Sequence, residues 1–197
     1  ELYDFYHLKL AECDAEIEKT IKILEDKSEP PKGTLDDFKQ KPRRKNEMHF
    51  DVREELFKLA GVDLTKIDGI SGHTALKIVS EIGIDMSRWP TVKHFTSWLG
   101  LAPGTKISGG KVLSAATKKC INKTSNALRM AAQSLYHSHS YLGAFLRKKK
   151  AQLGSPKAIT ATAHKLATIV YLMLKHKTDY VDLGEHYYEK KYKESIK

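Results

Sequence analysis

Tyr3, Leu10, Ile17 and Leu24 recur at intervals of seven near the start of the chain, with Tyr6 and Cys13 three residues after the first two and Ile21 strengthening the later turns. Charged residues fill most of the positions between them. Residues 2–27 are therefore predicted as one long helix with a heptad seam of the kind that pairs with another helix. The partner is either a second copy of the same segment, which makes residues 1–27 a dimerisation helix, or the chain's own domain. From 28 to 50 the period is lost. Pro30-Pro31, Gly33 and the run Lys41-Pro42-Arg43-Arg44-Lys45 predict a basic linker or extended loop, whose tip either touches phosphate or is simply solvated.

Helical periodicity resumes at Asp51 and defines a third region, residues 51–197. Val52, Leu56 and Leu59 share a face, and Gly61 is a C-terminal stop. The stretch 64–83 resembles a helix-hairpin-helix. Gly69 and Gly72 permit a tight turn, and such a turn aims the first backbone amides of the next helix outward, where they and the helix dipole bind phosphate without reading bases. Gly69, Ser71, Gly72 and His73 are thus candidate backbone-gripping residues. Small Ala75 admits close approach, and Ile70, Ile78, Val79 and Ile82 supply the core. Ser71 stands where the motif usually has glycine, so it is equally readable as the N-cap of an ordinary helix.

Pro90 and Thr91 open a short helix with Val92, Phe95, Trp98 and Leu99 on one face, and both Trp89 and Trp98 are expected in the core. Residues 101–123 break helical periodicity with Pro103, Gly104, Gly109 and Gly110. Two longer helices follow, 125–146 with Leu128, Ala132, Leu135, Leu142 and Leu146 on one stripe, and 158–176 with Ile159, Ala163, Leu166, Val170, Met173 and Leu174. The basic run Arg147-Lys148-Lys149-Lys150 is placed between them. The expected fold is all-α, with one short Gly-rich loop or hairpin.

Charge changes this picture of a helical domain into one with a partner. From Met86 to Thr178 there are 93 residues with no Asp or Glu and 16 Lys or Arg, whereas residues 1–29 hold nine acids against four bases. The formal charge of +10 is therefore a local field. A merely solvated face usually mixes both signs, so the run points to nucleic acid. No apolar stretch is long enough to span a bilayer, and the two cysteines, Cys13 and Cys120, suggest neither a disulfide framework nor a metal knuckle. A reducing cytosol, at the nucleoid, is the expected location. A chain that opens on Glu1 rather than Met reads as a piece of a longer protein.

Candidate chemistry is sparse. A metal-dependent nuclease needs converging carboxylates, and the acid-free run cannot supply them, so no metal site is expected in this chain. The nine histidines lack the i, i+4 spacing of a ligand pair. Gly104 to Lys111 lacks the helix-opening Gly-Lys-Ser/Thr of a phosphate-binding loop. There remains Ser108, in Ser108-Gly109-Gly110-Lys111. A serine on a glycine-bounded turn has little steric cover, and Lys106, Lys111, Lys118, Lys119, Lys123 and Arg129 are placed to bind phosphate and to stabilise charge on a phosphorus under attack. The same tetrapeptide also reads as an ordinary two-residue hairpin joining Lys106-Ile107 to Lys111-Val112.

Six ordered blocks carry a resemblance: Ile67-Asp68-Gly69-Ile70, Ser80-Glu81-Ile82-Gly83, Trp98-Leu99-Gly100-Leu101-Ala102-Pro103, Ser108-Gly109-Gly110-Lys111, Leu128-Arg129-Met130-Ala131-Ala132 and Ala163-His164-Lys165-Leu166-Ala167. Over about residues 51–182 the chain resembles the C-terminal domain of insertion-sequence transposases of the one-ten group, the Piv-like bridge recombinases. The resemblance implies an upstream ribonuclease-H-like domain with four acids and magnesium, a coiled coil to which residues 1–27 belong, and Ser108 as the nucleophile that forms a phosphoserine link to DNA. Many relatives have a further serine just before this position, where Lys106-Ile107 stands here, so Ser114 is the second candidate. It also implies an element-encoded guide RNA as a partner beside DNA. Against the recombinase reading stand a non-catalytic nucleic-acid-binding and dimerisation module, and an RNA-binding scaffold.

Overall fold

The structure, a computed structural model, describes residues 1–25, 35 and 48–194. Most of the 28–50 linker, its basic run included, lies outside the described residues. Eight α-helices and one two-stranded hairpin are present among the described residues, in the order α1 (Leu2–Glu25), α2 (Val52–Ala60), α3 (Gly72–Ile82), α4 (Val92–Trp98), β1 (Lys106–Ser108), β2 (Lys111–Ser114), α5 (Lys123–Ser134), α6 (Tyr141–Leu153), α7 (Ser155–His176) and α8 (Gly184–Glu194). The all-α expectation holds. The chain divides into two compact units, Glu1–Asp63 and Leu64–Lys197.

The first unit contains α1 packed on α2. Along the heptad seam of α1, Tyr3, Tyr6 and Leu10 are exposed, Ile17 is half-buried, and the adjoining Ile21 is buried. Asp51 caps α2 by accepting hydrogen bonds from the amides of Arg53 and Glu54, at 3.0 and 3.2 Å. Gly61 ends it in the left-handed conformation, φ 71°. Arg53 donates through Nε to the buried Asp63 carboxylate at 2.8 Å, and its Nη2 lies 2.6 Å from the same oxygen.

In the second unit α7 is the central helix and contacts α4, α5 and α6. Of the predicted stripe Ala163, Leu166, Val170, Met173 and Leu174 are buried and Ile159 is half-buried, and Ala158 and Ala167 are buried beside them. Each buried leucine or valine of this kind contributes about 1.5–3 kcal/mol relative to exposure. Tyr171 is buried too, and its hydroxyl donates to the Trp89 carbonyl at 2.7 Å, tying α7 to the turn before α4. Trp89 lies in the core as expected, whereas Trp98 is 38% exposed.

Three elements differ from the sequence reading. Between Leu64 and Ile82 there is one three-residue turn of 3-10 helix, Leu64–Lys66, and one full helix, so the first arm of a helix-hairpin-helix is a single turn. The helix predicted over 125–146 is two helices, because the chain breaks after α5 through a short turn at Leu135–His137. Side-chain hydrogen bonds hold that break. Ser140 caps α6 by accepting from the Gly143 amide at 3.1 Å, Ser138 donates to Asp68, and Arg147 Nη1 donates to the carbonyls of Ser138 and Tyr136 at 2.6 and 3.1 Å. Leu135, Leu142 and Leu146 are nevertheless all buried, so the apolar stripe continues across the break and conceals it. Finally, Arg147 to Lys150 are helical, within α6, rather than a loop between helices.

Candidate nucleic-acid interface

The segment from Pro103 to Lys123 leaves the helical core and returns to it. Its base is fastened in two places. The Gly104 amide donates to the Ala116 carbonyl at 2.9 Å, and Pro103 bridges Thr117. Farther along, a Cβ built on Gly100 would meet Cys120 Cβ at 2.6 Å and the Lys118 carbonyl at 3.0 Å. Residues 118–120 thus lie directly on the turn that ends α4, where only glycine fits, and Cys120 Sγ donates to the Trp98 carbonyl at 3.6 Å.

Beyond this base stands the hairpin. Gly109 and Gly110 have φ of 54° and 75°, the paired positive values of a type I′ turn, which matches the twist of the flanking strands. Ser108 pairs with Lys111, Ile107 with Val112, and Lys106 with Ser114, leaving Leu113 as the extra residue of a bulge. Side chains alternate faces along a strand, and directly paired residues share one. Ser108 therefore projects on the same face as Lys106 and Lys111, and Ile107 and Val112 project on the other. A serine between two lysines is a consequence of this register, not of spacing in the sequence alone.

The two candidate serines differ in environment. Ser108 is exposed, and its hydroxyl has no hydrogen-bond partner among the described residues. Ser114 is half-buried and its Oγ accepts from the Ala116 amide at 3.3 Å, so it is engaged in holding the turn. Lys106, Lys111, Lys118, Lys119 and Lys123 are all exposed, and none is ion-paired among the described residues. Lys123 begins α5, whose N-cap, Asn122, is buried and accepts from the Ser125 amide at 3.0 Å. Two turns into that helix, Arg129 is half-buried, and its Nε is fully enclosed without a hydrogen-bond partner. Leaving such a donor unmade costs about 1–3 kcal/mol.

The turn at 69–73 is placed otherwise. Gly69, φ 87°, lies against α5: a Cβ there would meet the Ala131 carbonyl at 2.8 Å and the Leu135 side chain at 3.1 Å. Its glycine is explained by packing. Ser71 is the N-cap of α3 and accepts from the Thr74 amide at 3.3 Å. The amides of Gly72 and His73 remain without hydrogen bonds among the described residues, and His73 is exposed.

Several other cations of the acid-free run are engaged. Arg147 Nη2 donates to Glu185 at 3.1 Å, and Glu185 also meets His139 Nδ1 at 2.9 Å. The hydrogen bond from His139, with Arg147 beside it, holds the Glu185 carboxyl below its ordinary value of 4.5. Lys165 lies over the rings of Tyr141 and Phe145, and Lys148 over Tyr192 at 4.2 Å. Five exposed lysines without an ion pair among the described residues thus fall on the hairpin segment and the start of α5, while Lys93 and Lys157 are exposed elsewhere. No group of three or more His, Cys, Asp and Glu that could hold a metal ion is found among the described residues.

Residues 61–147 match the model of a transposase family described as Transposase, IS116/IS110/IS902 family. Over this stretch the chain is similar to that family. No curated protein and no solved structure matches the chain. The matched segment contains α3, α4, the hairpin, α5 and the first half of α6, and with them every candidate residue from Gly69 to Arg129. No helix among the described residues is long and apolar enough to cross a membrane. What the sequence reading of the matched segment did not register is the apolar face of the hairpin, although the alternation Lys106-Ile107-Ser108 carried the signal.

Proposed function

We propose that the chain is the DNA-binding, nucleophile-bearing part of a transposase, with Ser108 attacking a phosphodiester. One observation carries the reading: the hairpin register sets an exposed serine on one face between Lys106 and Lys111. In the attack a bond forms between Ser108 Oγ and phosphorus as the bond to a deoxyribose oxygen breaks, and the serine proton ends on that leaving oxygen. The phosphoserine link conserves the bond for a later strand to reclaim. The two lysines stabilise the charge that builds on the non-bridging oxygens, and Lys118, Lys119 and Lys123 hold the flanking backbone. Arg129, within α5, adds a further cation to the same grip. Backbone amides of Gly72 and His73, next to the Ser71 cap, form a second and separate phosphate contact.

The finer partners belong to the same reading. The exposed apolar positions of α1 support pairing with a second copy, and the basic segment is compatible with a guide RNA as well as with DNA. Ser108→Ala in the full-length protein is expected to abolish covalent DNA capture, scored as a protein–DNA adduct that survives denaturation, while duplex binding stays within about twofold. Ser114→Ala is expected to keep the adduct. Strand exchange retained by Ser108→Ala would end the nucleophile assignment and leave a non-catalytic DNA-binding module.

A further inference from the structure

The hairpin has a second face. Ile107 and Val112 are 65% and 61% exposed, and Leu113, displaced by the bulge, is 69% exposed. Aliphatic side chains this open on a short ribbon are costly to leave in water and give the core nothing. The ribbon is held only at its base, through Gly104 to Ala116 and Pro103 to Thr117, so its strands and tip stand clear of the domain. Nothing lies within 4 Å of the position a Cβ would take at Gly109 or Gly110.

What covers this face must also accept the cations around it. The opposite face presents Lys106 and Lys111, and no acid occurs between Met86 and Thr178. Three aliphatic side chains fall far short of the roughly 1,200 Å² that a stable protein interface buries. A two-stranded ribbon does fit a nucleic-acid groove, and apolar side chains flanked by cations enter between base steps and unstack them, at an energy repaid by wider backbone contact.

We infer that the Ile107–Val112 pair is a wedge that enters a groove of duplex DNA and unstacks base pairs beside the phosphate that faces Ser108. The inference rests on the DNA-binding reading above and assigns a role to the face which that reading leaves unused. Unstacking there bends the duplex and brings more of its backbone within reach of the hairpin's lysines.

The test uses the 197-residue chain and a duplex of mixed sequence carrying 2-aminopurine, whose fluorescence rises when its base unstacks. The wild type is expected to bind with a steep salt dependence and to raise the fluorescence. Ile107→Thr with Val112→Thr keeps the β-branching that suits a strand and removes the apolar ends. This double variant is expected to lose the fluorescence rise and about tenfold in affinity at fixed salt, by loss of apolar burial, with an unchanged slope of log K against log salt. Unchanged thermal melting checks that it folds. Lys106→Gln with Lys111→Gln should do the reverse, lowering the slope while leaving residual unstacking. Wild-type binding with no fluorescence rise, or a Thr pair that unstacks as the wild type does, overturns the wedge alone. No salt-dependent binding by the wild type overturns the DNA-binding reading with it. Tighter binding to anionic lipid vesicles than to duplex would assign the apolar face to a membrane surface instead and overturn the inference.

Discussion

Helix α1 and the segment from Lys106 to Lys123 are both exposed and lysine-bearing, yet they dispose of their charge in opposite ways. On α1, Lys9 lies 2.7 Å from Glu12, Lys19 lies 3.6 Å from Glu16, and Lys22 lies 2.6 Å from Glu18. The hydrogen bond to Glu18 raises the Lys22 pKa. On the hairpin segment five lysines have no acid to meet, because the sequence places none nearby. Paired surface charges are nearly silent energetically. Unpaired charges of one sign store a repulsion that a polyanion relieves, with release of its counterions. The lesson is that lysine content does not mark a nucleic-acid surface; lysine without local acid does.

The contrast can be broken most sharply by neutralising the free lysines. Lys118, Lys119 and Lys123 changed together to Gln should lower the slope of log K against log salt by about 3 and reduce duplex affinity roughly a hundredfold near physiological salt, read by titrations at several salt concentrations. An unchanged slope would show that these side chains do not meet phosphate. Gly100→Ala is expected to have an intermediate effect. Its φ of 64° and the Cys120 Cβ 2.6 Å from a new Cβ force the 118–120 segment outward. Stability should fall by about 1–3 kcal/mol, measured by chemical denaturation, and duplex affinity should fall with it. At the small end, Glu18→Gln on α1 frees Lys22 from its partner and is expected to leave both the melting temperature and the DNA salt slope of the second unit where they were. A slope that rose on this change would mean that α1 also faces nucleic acid.

Most of the helical fold was readable from the chain. Gly61 ends α2 as the predicted C-terminal stop, and most of the 158–176 stripe became the central buried face of α7. Ser71 took the N-cap role offered as the alternative to a helix-hairpin-helix. The break between α5 and α6 was not readable, because Leu135 and Leu142 keep the apolar spacing across it, while the Ser140 cap and the Arg147 bonds that hold it are joined by a bond from Ser138 to Asp68, 70 residues away in sequence. The candidate site divides in the same way. Ser108 and its lysines stood out through composition and glycine, whereas Gly69 proved to be a packing glycine against Ala131, a reason that exists only once α5 is beside it.

By itself the sequence determined the helical periods, the two-glycine turn, the exclusion of acid from 93 residues and the family match of residues 61–147, since each depends on the order of residues along the chain. The tertiary structure decided the facing. Strand register put Ser108 with Lys106 and Lys111 and put Ile107 with Val112 on the other side, and the close seat of residues 118–120 on Gly100 fixed where the next lysines emerge. The physical reason is that a face is a property of paired backbone. A shift of one residue in the pairing would exchange the two sides of the hairpin without altering a single residue.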